Sequence, residues 1–286
     1  MKKIAKMLSI LLVLVLTVAM ATACEKEEET HRKSRSKGST KSSRSRTVSE
    51  TEKESKDFSE TEETPIIVFG TNAEFPPFEF NTSSGVIGTF DGIDMAIAKQ
   101  IAEDHGKTAE IEDMEFDSLL VALQNDQVDA VIAGMTVTED RKKSVDFSIP
   151  YYNATQVMLV KEDSAITNAT DMEDKRIGVI QGFIGHTYVN EMGYDYEVFQ
   201  KGSDALFALQ SGDCDVVVID YETAKNYVDT RASLKIVEDP NVFESEEYAI
   251  AVKKGNKELL DQINASLEAM IADGTIGVFG AVYADK

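Results

Sequence analysis

Two stretches of the chain repeat one another: "LVALQNDQVDAVIAG", Leu120 to Gly134, and "LFALQSGDCDVVVID", Leu206 to Asp220. Nine of the fifteen aligned positions hold the same residue or exchange one aliphatic residue for another. Each stretch has the pattern of a helix end, a tight turn and a buried strand. We therefore predict that each occupies the same place in one of two similar α/β lobes, although two unrelated helix–strand units would give the same pattern.

The residues around the repeat alternate between strand and helix patterns. A β-branched run at Ile66–Phe69 predicts a buried strand, and isoleucines at 93, 97 and 101 predict an amphipathic helix. Further elements are predicted at 128–133, 177–180 and 215–219 (strands) and at 186–191 and 205–210 (helices). This alternation predicts an α/β fold with mainly parallel sheets. Such sheets bind ligands at the carboxyl ends of their strands, where Gly134 and Asp220 stand.

The first 23 residues have the composition of a secretory signal peptide. A basic start is followed by an apolar run, Met7–Ala21, which at about 1.5 Å per residue is short for a bilayer core of about 30 Å. Ala21-x-Ala23 suits ordinary cleavage, whereas Ala-Thr-Ala-Cys resembles the lipobox of bacterial lipoproteins. We favour the second interpretation, in which Cys24 is lipidated and anchors the chain to the outer face of the cell membrane.

Residues 24–64 form a charged segment with only two large apolar side chains, Val48 and Phe58. Such a composition cannot build a core, so a disordered tether is predicted. The basic block at 32–46 would also suit nucleic acid, but a solvated tether fits an exported chain better. Its basic residues also suit contact with lipid or cell-wall anions.

The charge and the cysteines exclude several classes of function. The chain has 29 Lys and Arg against 51 Asp and Glu, a net charge of −22, and most of the acidic excess lies in residues 65–286. A domain this acidic repels phosphate backbones, so no nucleic-acid partner is expected. Once Cys24 is lipidated, Cys214 is the only thiol left, and the chain has three histidines. Neither a disulfide nor a metal site is therefore predicted, and no cofactor is expected.

An arginine and an aspartate follow the two copies of the repeat. Thr138 is a candidate helix N-cap, which puts Arg141 in the first helical turn, where a cation opposes the helix dipole. A bound anion would explain that position, with Thr136 helping to hold it, although a surface ion pair would explain it too. Asp220 ends a buried strand and is either a helix cap or a group at the mouth of a cleft. Together Arg141 and Asp220 would bind the two charges of an α-amino acid.

The loop "TNAEFPPFEF" after the first predicted strand supplies candidate side-chain contacts. Its two prolines stiffen it. Phe75 and Phe78 suit the core, but one of them could stack on a ligand with Phe116 opposite. Asn72 and Glu74 are candidate polar readers of the ligand side chain on the same loop.

Five segments together resemble a known family. They are "GTNAEFPPFEF", "GTFDGIDMAIAKQIAE", "LLVALQNDQVDAVIAGMTVTEDRKKSVDFSIPYY", "IGVIQGF" and "YAIAVKKGNKELLDQINASLEAMIADGT". In this order they resemble the bacterial extracellular solute-binding proteins of family 3, the polar amino-acid receptors of ABC importers. The similarity extends over essentially all of residues 65–286, and the block "AGMTVTEDRKKSVDFSIPYY" is its most specific part.

The resemblance implies a type II periplasmic-binding-protein fold: two lobes with mainly parallel sheets, joined by two crossover strands. The crossovers are expected near residues 153–157 and 246–251. Lobe 1 would then comprise residues 65–153 and 247–286, and lobe 2 would comprise residues 154–246.

The resemblance also implies roles for individual residues. Arg141 would bind the α-carboxylate with Thr136 beside it, and the Gly134 carbonyl and Asp220 would take the α-ammonium. Phe75 and Phe116 would sandwich the ligand side chain, and Asn72 stands where the family often has Asp.

One segment departs from the family pattern. Where the family commonly has hydroxyl residues after the lobe 2 strand, this chain has Gly182-Phe183-Ile184-Gly185. The main-chain N–H groups at that helix start can still hold a carboxylate. Phe183 and Ile184 are expected to cover an apolar part of the ligand instead.

The function expected is an extracytoplasmic, monomeric receptor that captures an amino acid and delivers it to an ABC permease with its ATPase. Two alternatives stay open: a cyclohexadienyl-type dehydratase using His186 as general acid, and a sensor acting with a separate signalling partner. Glu74 and the acidic domain favour a cationic ligand. Asn72 in place of Asp favours a neutral polar ligand, and we rank this interpretation slightly ahead.

Overall fold

The computed structural model of the protein describes residues 64–284. The predicted signal peptide, the predicted lipidation site Cys24 and all of the predicted tether except Thr64 lie outside these residues. The described residues belong to one compact unit, Glu60–Lys286, and contain two large sheets with helices packed on them. The α/β architecture predicted from the alternating patterns is therefore confirmed.

The first lobe is built around a five-stranded sheet in the order β5-β1-β6-β14-β7. β1 runs parallel to both β5 and β6, whereas β14 is antiparallel to β6 and β7. The residues between β1 and β5 contain a small three-stranded sheet in the order β2-β3-β4. These strands are β1 (Ile66–Thr71), β2 (Glu74–Phe75), β3 (Glu79–Asn81), β4 (Phe90–Asp91), β5 (Thr108–Asp113), β6 (Ala130–Val131), β7 (Val145–Phe147) and β14 (Ala251–Lys253).

The second lobe is built around a sheet in the order β10-β9-β11-β8-β12, with β13 paired to β8. β9 is parallel to β10 and β11, and β8 is antiparallel to its partners. Both sheets are thus mixed, because β14 in the first sheet and β8 in the second run antiparallel to the strands on either side of them. These strands are β8 (Tyr152–Lys161), β9 (Ile177–Ile180), β10 (Tyr196–Phe199), β11 (Val216–Asp220), β12 (Leu234–Val237) and β13 (Ser245–Tyr248).

Helices cover the sheets, and their apolar stripes explain where they lie. In α1, the isoleucines at 93, 97 and 101 recur every four residues, and all three are buried. The predicted helices at 186–191 and 205–210 are present and extend further at both ends. The helices are α1 (Ile93–Asp104), α2 (Leu119–Gln124), α3 (Glu139–Lys142), α4 (Ile184–Met192), α5 (Gly202–Ser211), α6 (Tyr221–Thr230), α7 (Lys257–Asp273) and α8 (Thr275–Tyr283).

The two copies of the repeat have the predicted local structure. The first is α2, a turn and β6, and the second is α5, a turn and β11. The strand predicted at 128–133 is shorter than expected, since only Ala130 and Val131 form it. The chain then bends at Gly134, which has a φ of 52°.

Two strands cross between the sheets where the crossovers are expected. β8 and β13 pair antiparallel, from Tyr152 opposite Tyr248 to Thr155 opposite Ser245. The rest of β8 enters the second sheet, and β14 enters the first sheet shortly after β13. The expected lobe boundaries fall within this strand pair, and as boundaries they stay a prediction.

Within residues 64–284, no single helix is long and apolar enough to cross a membrane. α7 and α8 meet that test only when taken together, and they bend by 77° where they meet.

Candidate functional site

A small cavity lies between the two lobes, at the carboxyl ends of the repeated strands. Its volume is about 10 Å³, room for about one water molecule. Both ends of the repeat, Gly134 and Asp220, line it, as do most of the predicted ligand-binding residues. The full lining is Phe75, Phe116, Ala133, Gly134, Thr136, Arg141, Phe183, Ile184 and Asp220.

Arg141 enters the cavity from the short helix α3. The Thr138 hydroxyl accepts the Arg141 main-chain N–H at 3.1 Å, which confirms Thr138 as the predicted N-cap. The guanidinium Nη1 donates to the Thr136 carbonyl at 2.7 Å, and Nη2 donates to the Gly182 carbonyl of the second lobe at 3.0 Å. Burial lowers the pKa of Arg141 to about 10, so the side chain stays charged at neutral pH. A cation is thereby held at the cavity wall by carbonyls of both lobes.

Asp220 enters the same cavity from the end of β11, where it is buried. Gln156 Nε2 donates to its Oδ1 at 2.8 Å, and the Tyr248 hydroxyl donates to the same oxygen. Burial raises the pKa of Asp220 to about 6, while the hydrogen bonds from Tyr248 and Gln156 act in the opposite direction. At neutral pH the second lobe therefore presents a buried carboxylate opposite Arg141.

Gly134 is fixed by a buried carboxylate beneath it. Its N–H donates to Asp94 Oδ2 at 2.8 Å, and the Tyr151 hydroxyl donates to the same oxygen at 2.8 Å. A Cβ at position 134 would lie 2.7 Å from a ring carbon of Phe75, and the positive φ there also disfavours a side chain. These contacts explain why the first copy of the repeat ends in glycine although the second ends in aspartate.

Three aromatic rings fill the apolar side of the cavity. Phe183 packs edge-on against Phe75, with ring centroids 5.4 Å apart, and against Phe116 at 4.7 Å. The expected ligand sandwich between Phe75 and Phe116 is therefore occupied by Phe183 in this structure. Phe78 is completely buried, which assigns it to the core and leaves Phe75 as the cavity residue of that loop.

Two polar residues predicted to contact the ligand side chain, Asn72 and Glu74, do not line the cavity. The Asn72 side chain is buried and donates to the Met114 carbonyl at 3.0 Å. Glu74 forms an ion pair with Lys201, and the Ser203 hydroxyl donates to it at 3.3 Å. Lys201 and Ser203 belong to the second lobe, so the Glu74 carboxylate joins the lobes.

Three polar residues of the crossover strands were missed from the sequence: Gln156, Glu246 and Tyr248. Glu246 is buried, and its Oε2 accepts the Thr136 hydroxyl at 3.0 Å and lies 3.5 Å from Gln156 Nε2. Burial, followed by the nearby charge of Asp220, raises the pKa of Glu246 to about 7. A period of two along β13, which puts Glu246 on the same face as the buried Tyr248, is the signal that could have identified it.

Comparison with known proteins identifies the family to which the chain belongs. The sequence profile of the bacterial extracellular solute-binding proteins, family 3, matches residues 67–283. The chain belongs to this family. A family 3 relative, the arginine-binding extracellular protein ArtP of Bacillus subtilis, is 34% identical over 216 residues, which cover 73% of this chain and 82% of the relative. The glutamine-binding protein GlnH of an ABC transporter of the same organism is 36% identical over 215 residues, covering 73% of this chain and 77% of the relative.

Solved structures of family 3 proteins have the same fold. The arginine-, lysine-, histidine-binding protein ArtJ of Geobacillus stearothermophilus superposes with a TM-score of 0.72 at 33% identity, covering 77% of this chain and 95% of that one. An ancestral arginine-binding protein bound to glutamine superposes with a TM-score of 0.71 at 39% identity, covering 78% and 100%. The chain is therefore an extracellular solute-binding protein with the type II periplasmic-binding-protein fold, as its sequence predicts.

Proposed function

We propose that this protein is the receptor of an amino-acid ABC importer, and that Arg141 and Asp220 hold the two α-groups of the ligand. The observation that carries the proposal is that the half-buried guanidinium of Arg141 and the buried carboxylate of Asp220, one from each lobe, face the same cavity. An α-amino acid presents a carboxylate to the first and an ammonium to the second. The relatives and solved structures named above bind arginine, glutamine, lysine or histidine, which supports the same class of ligand.

Binding requires the lobes to move apart first, because a space of about 10 Å³ does not admit an amino acid. The paired crossovers β8 and β13 are the natural hinge, since they are the strands that pass between the two sheets. Closure would then bury both charge pairs. Two desolvated pairs are compatible with an affinity near micromolar, about −8 kcal/mol.

A panel of the twenty L-amino acids tests the proposal by thermal shift on the soluble domain from residue 60 onward, which forms one compact unit. A ligand at a hundred times its Kd adds about 2.7 kcal/mol to the free energy of unfolding. For a domain of this size, that raises Tm by roughly 5–10 °C. The amide and the α-keto acid of the best ligand serve as controls, since each lacks one of the two charges. The proposal fails if no amino acid raises Tm, or if either control binds equally well.

Phe183 is expected to compete with the ligand side chain for the space between Phe75 and Phe116. Replacing Phe183 by Ala empties that space and removes a contact of the ligand-free closed form. A larger share of molecules is then open, so the apparent Kd should fall roughly fivefold to tenfold. Isothermal titration with the best ligand measures the change. Phe207→Ala, which removes the same ring from an exposed position of α5 outside the cavity, is the control and should leave the Kd unchanged. Weaker binding by Phe183→Ala would instead mean that Phe183 covers the bound ligand.

The remaining parts of the proposal concern the location and the partners. The signal peptide pattern before Cys24 supports a lipid-anchored receptor outside the cytoplasm, with the charged segment 24–64 as tether. A Cys24→Ser chain found still in the membrane fraction would contradict the anchor. The expected partners are the permease and the ATPase of the importer, and the receptor itself would act as a monomer.

The dehydratase alternative is not favoured. The relatives reported above are transport binding proteins. In addition, the ring of His186 packs against Tyr196 with centroids 4.9 Å apart, and His186 does not line the cavity.

A further inference from the structure

Glu246 stands at the hinge side of the cavity. It lies on β13 opposite Ala154 of β8, and the residue is 9% exposed. Its Oε2 accepts the hydroxyl of Thr136, a cavity-lining residue, at 3.0 Å. Glu246 also lines a cleft of about 950 Å³ that continues from the cavity past Thr136 and Arg141. A second carboxylate is therefore built into the wall of the site, beside Asp220.

Two acceptor atoms, one in this carboxylate and one in the neighbouring amide of Gln156, receive no hydrogen bond from the described residues. Gln156 Nε2 donates to Asp220 at 2.8 Å and lies 3.5 Å from Glu246 Oε2, which directs the amide nitrogen to both acids. The other oxygen of Glu246, Oε1, and the amide oxygen of Gln156 are buried without a hydrogen-bond partner. Buried acceptors without donors are unfavourable, so a group rich in N–H donors fits here. Ammonium and guanidinium groups supply several donors and no acceptor.

The charges of the site point to the same kind of group. Arg141 supplies one positive charge, whereas Asp220 and Glu246 together supply two negative charges when ionised. The α-carboxylate and α-ammonium of a neutral amino acid cancel one another, so one of the two buried carboxyl groups is then either protonated or without a counter-charge. A ligand with a second positive charge balances the site, and unbalanced buried charge is strongly disfavoured.

We infer that Glu246 and the amide oxygen of Gln156 receive a cationic side chain, so that the site takes amino acids of the arginine, ornithine and lysine class. This inference rests on the proposed function, because Arg141 and Asp220 must first hold the two α-groups. It reverses the slight preference of the sequence for a neutral ligand. Glu74, the acidic residue predicted from the sequence to contact the ligand, instead forms an ion pair with Lys201 and accepts a hydrogen bond from Ser203.

The first test uses the unchanged protein and two ligands of nearly equal shape. L-Arginine and L-citrulline differ in that citrulline carries a neutral urea group in place of the guanidinium. Isothermal titration should give a Kd for arginine at least 30-fold lower than for citrulline, with ornithine and lysine also tighter than citrulline and glutamine. Equal affinities for arginine and citrulline overturn the inference and leave the proposed function standing. Absence of binding to every amino acid overturns both.

The second test changes the charge at Glu246 alone. Glu246→Gln should weaken arginine at least tenfold and leave citrulline within threefold. The control is Glu268→Gln on α7, which removes the same charge from an exposed side chain outside this cleft and should change the affinity of neither ligand. Equal weakening of arginine and citrulline by Glu246→Gln overturns the inference, and so does an equal effect of the control. If Glu246→Gln does not fold, as judged by circular dichroism, the arginine–citrulline comparison in the unchanged protein decides.

Discussion

Replacing Arg141 by Ala should weaken the binding of every amino acid by at least 30-fold. The guanidinium is half-buried at the wall of the cavity, where its two terminal nitrogens already meet oxygen acceptors at 2.7 and 3.0 Å. A ligand carboxylate that replaces the Gly182 carbonyl would gain a charged, forked partner in a site without bulk water. Removing one partner of such a buried charged pair costs about 2–5 kcal/mol of binding free energy, or roughly 30-fold to several thousandfold in Kd.

Two further variants separate the charge of Arg141 from its shape and from its helix. Arg141→Lys keeps the charge but loses the forked geometry, so it should recover only part of the affinity. Lys142→Ala removes a positive charge from the next position of α3, where the side chain is exposed and pairs with Glu139 at 2.9 Å, and should leave binding unchanged. Isothermal titration with the best ligand measures all three. Undiminished binding by Arg141→Ala would mean that the carboxylate is held elsewhere.

The lobes and the two charged residues could be predicted because their signals are local. Each copy of the repeat carries its own helix period, turn and buried strand, so its last residue falls at a strand end in either lobe. The Thr138 cap and Arg141 lie within four residues of one another, and the cap depends only on that spacing. These features do not depend on which distant segment packs against them.

The positions of Glu246, Glu74 and Phe183 depend on contacts between distant parts of the chain. Glu246 belongs to the acidic run "ESEE", which reads as a solvated surface until β13 pairs with β8, some 90 residues earlier. From the sequence, Glu74 is a candidate contact of the ligand side chain. In the structure it pairs with Lys201, which directly precedes α5 and lies 127 residues further along the chain. The position of the Phe183 ring likewise depends on the other lobe, where it packs against Phe75 and Phe116. Sequence spacing specifies none of these three positions.

Asp220→Asn should affect the ligand-bound and ligand-free protein in opposite directions. The amide keeps the shape of the side chain and an oxygen that can accept the hydrogen bonds from Gln156 and Tyr248. It loses the charge that faces the ligand ammonium, so amino-acid binding should weaken by at least 30-fold, for the same reason as at Arg141. The Kd of the best ligand measured by isothermal titration checks this part.

The ligand-free protein should become more stable with the same substitution. Burial raises the pKa of Asp220 from 3.8 to about 6, so folding favours its protonated form. Below about pH 4 both the folded and the unfolded chain are protonated there. As pH rises to about 6 the unfolded chain releases its proton first, and the free energy of unfolding falls. Asp220→Asn removes that loss and should add about 1–3 kcal/mol at pH 7.5, but only about 0.5 kcal/mol at pH 4.

Urea unfolding of the ligand-free protein at both pH values measures the effect on stability. The control is Asp163→Asn, which removes the same charge from an exposed loop and should change neither stability nor binding. A stabilised variant that no longer binds would identify Asp220 as a group whose buried charge is unfavourable in the empty receptor and is compensated by the ligand ammonium. Conversely, a variant that is destabilised at pH 7.5 would show that the Asp220 carboxylate supports the fold, through Gln156 and Tyr248, even without a ligand. In that case the charge would be structural, and the ammonium would have to bind to another acceptor at the cavity.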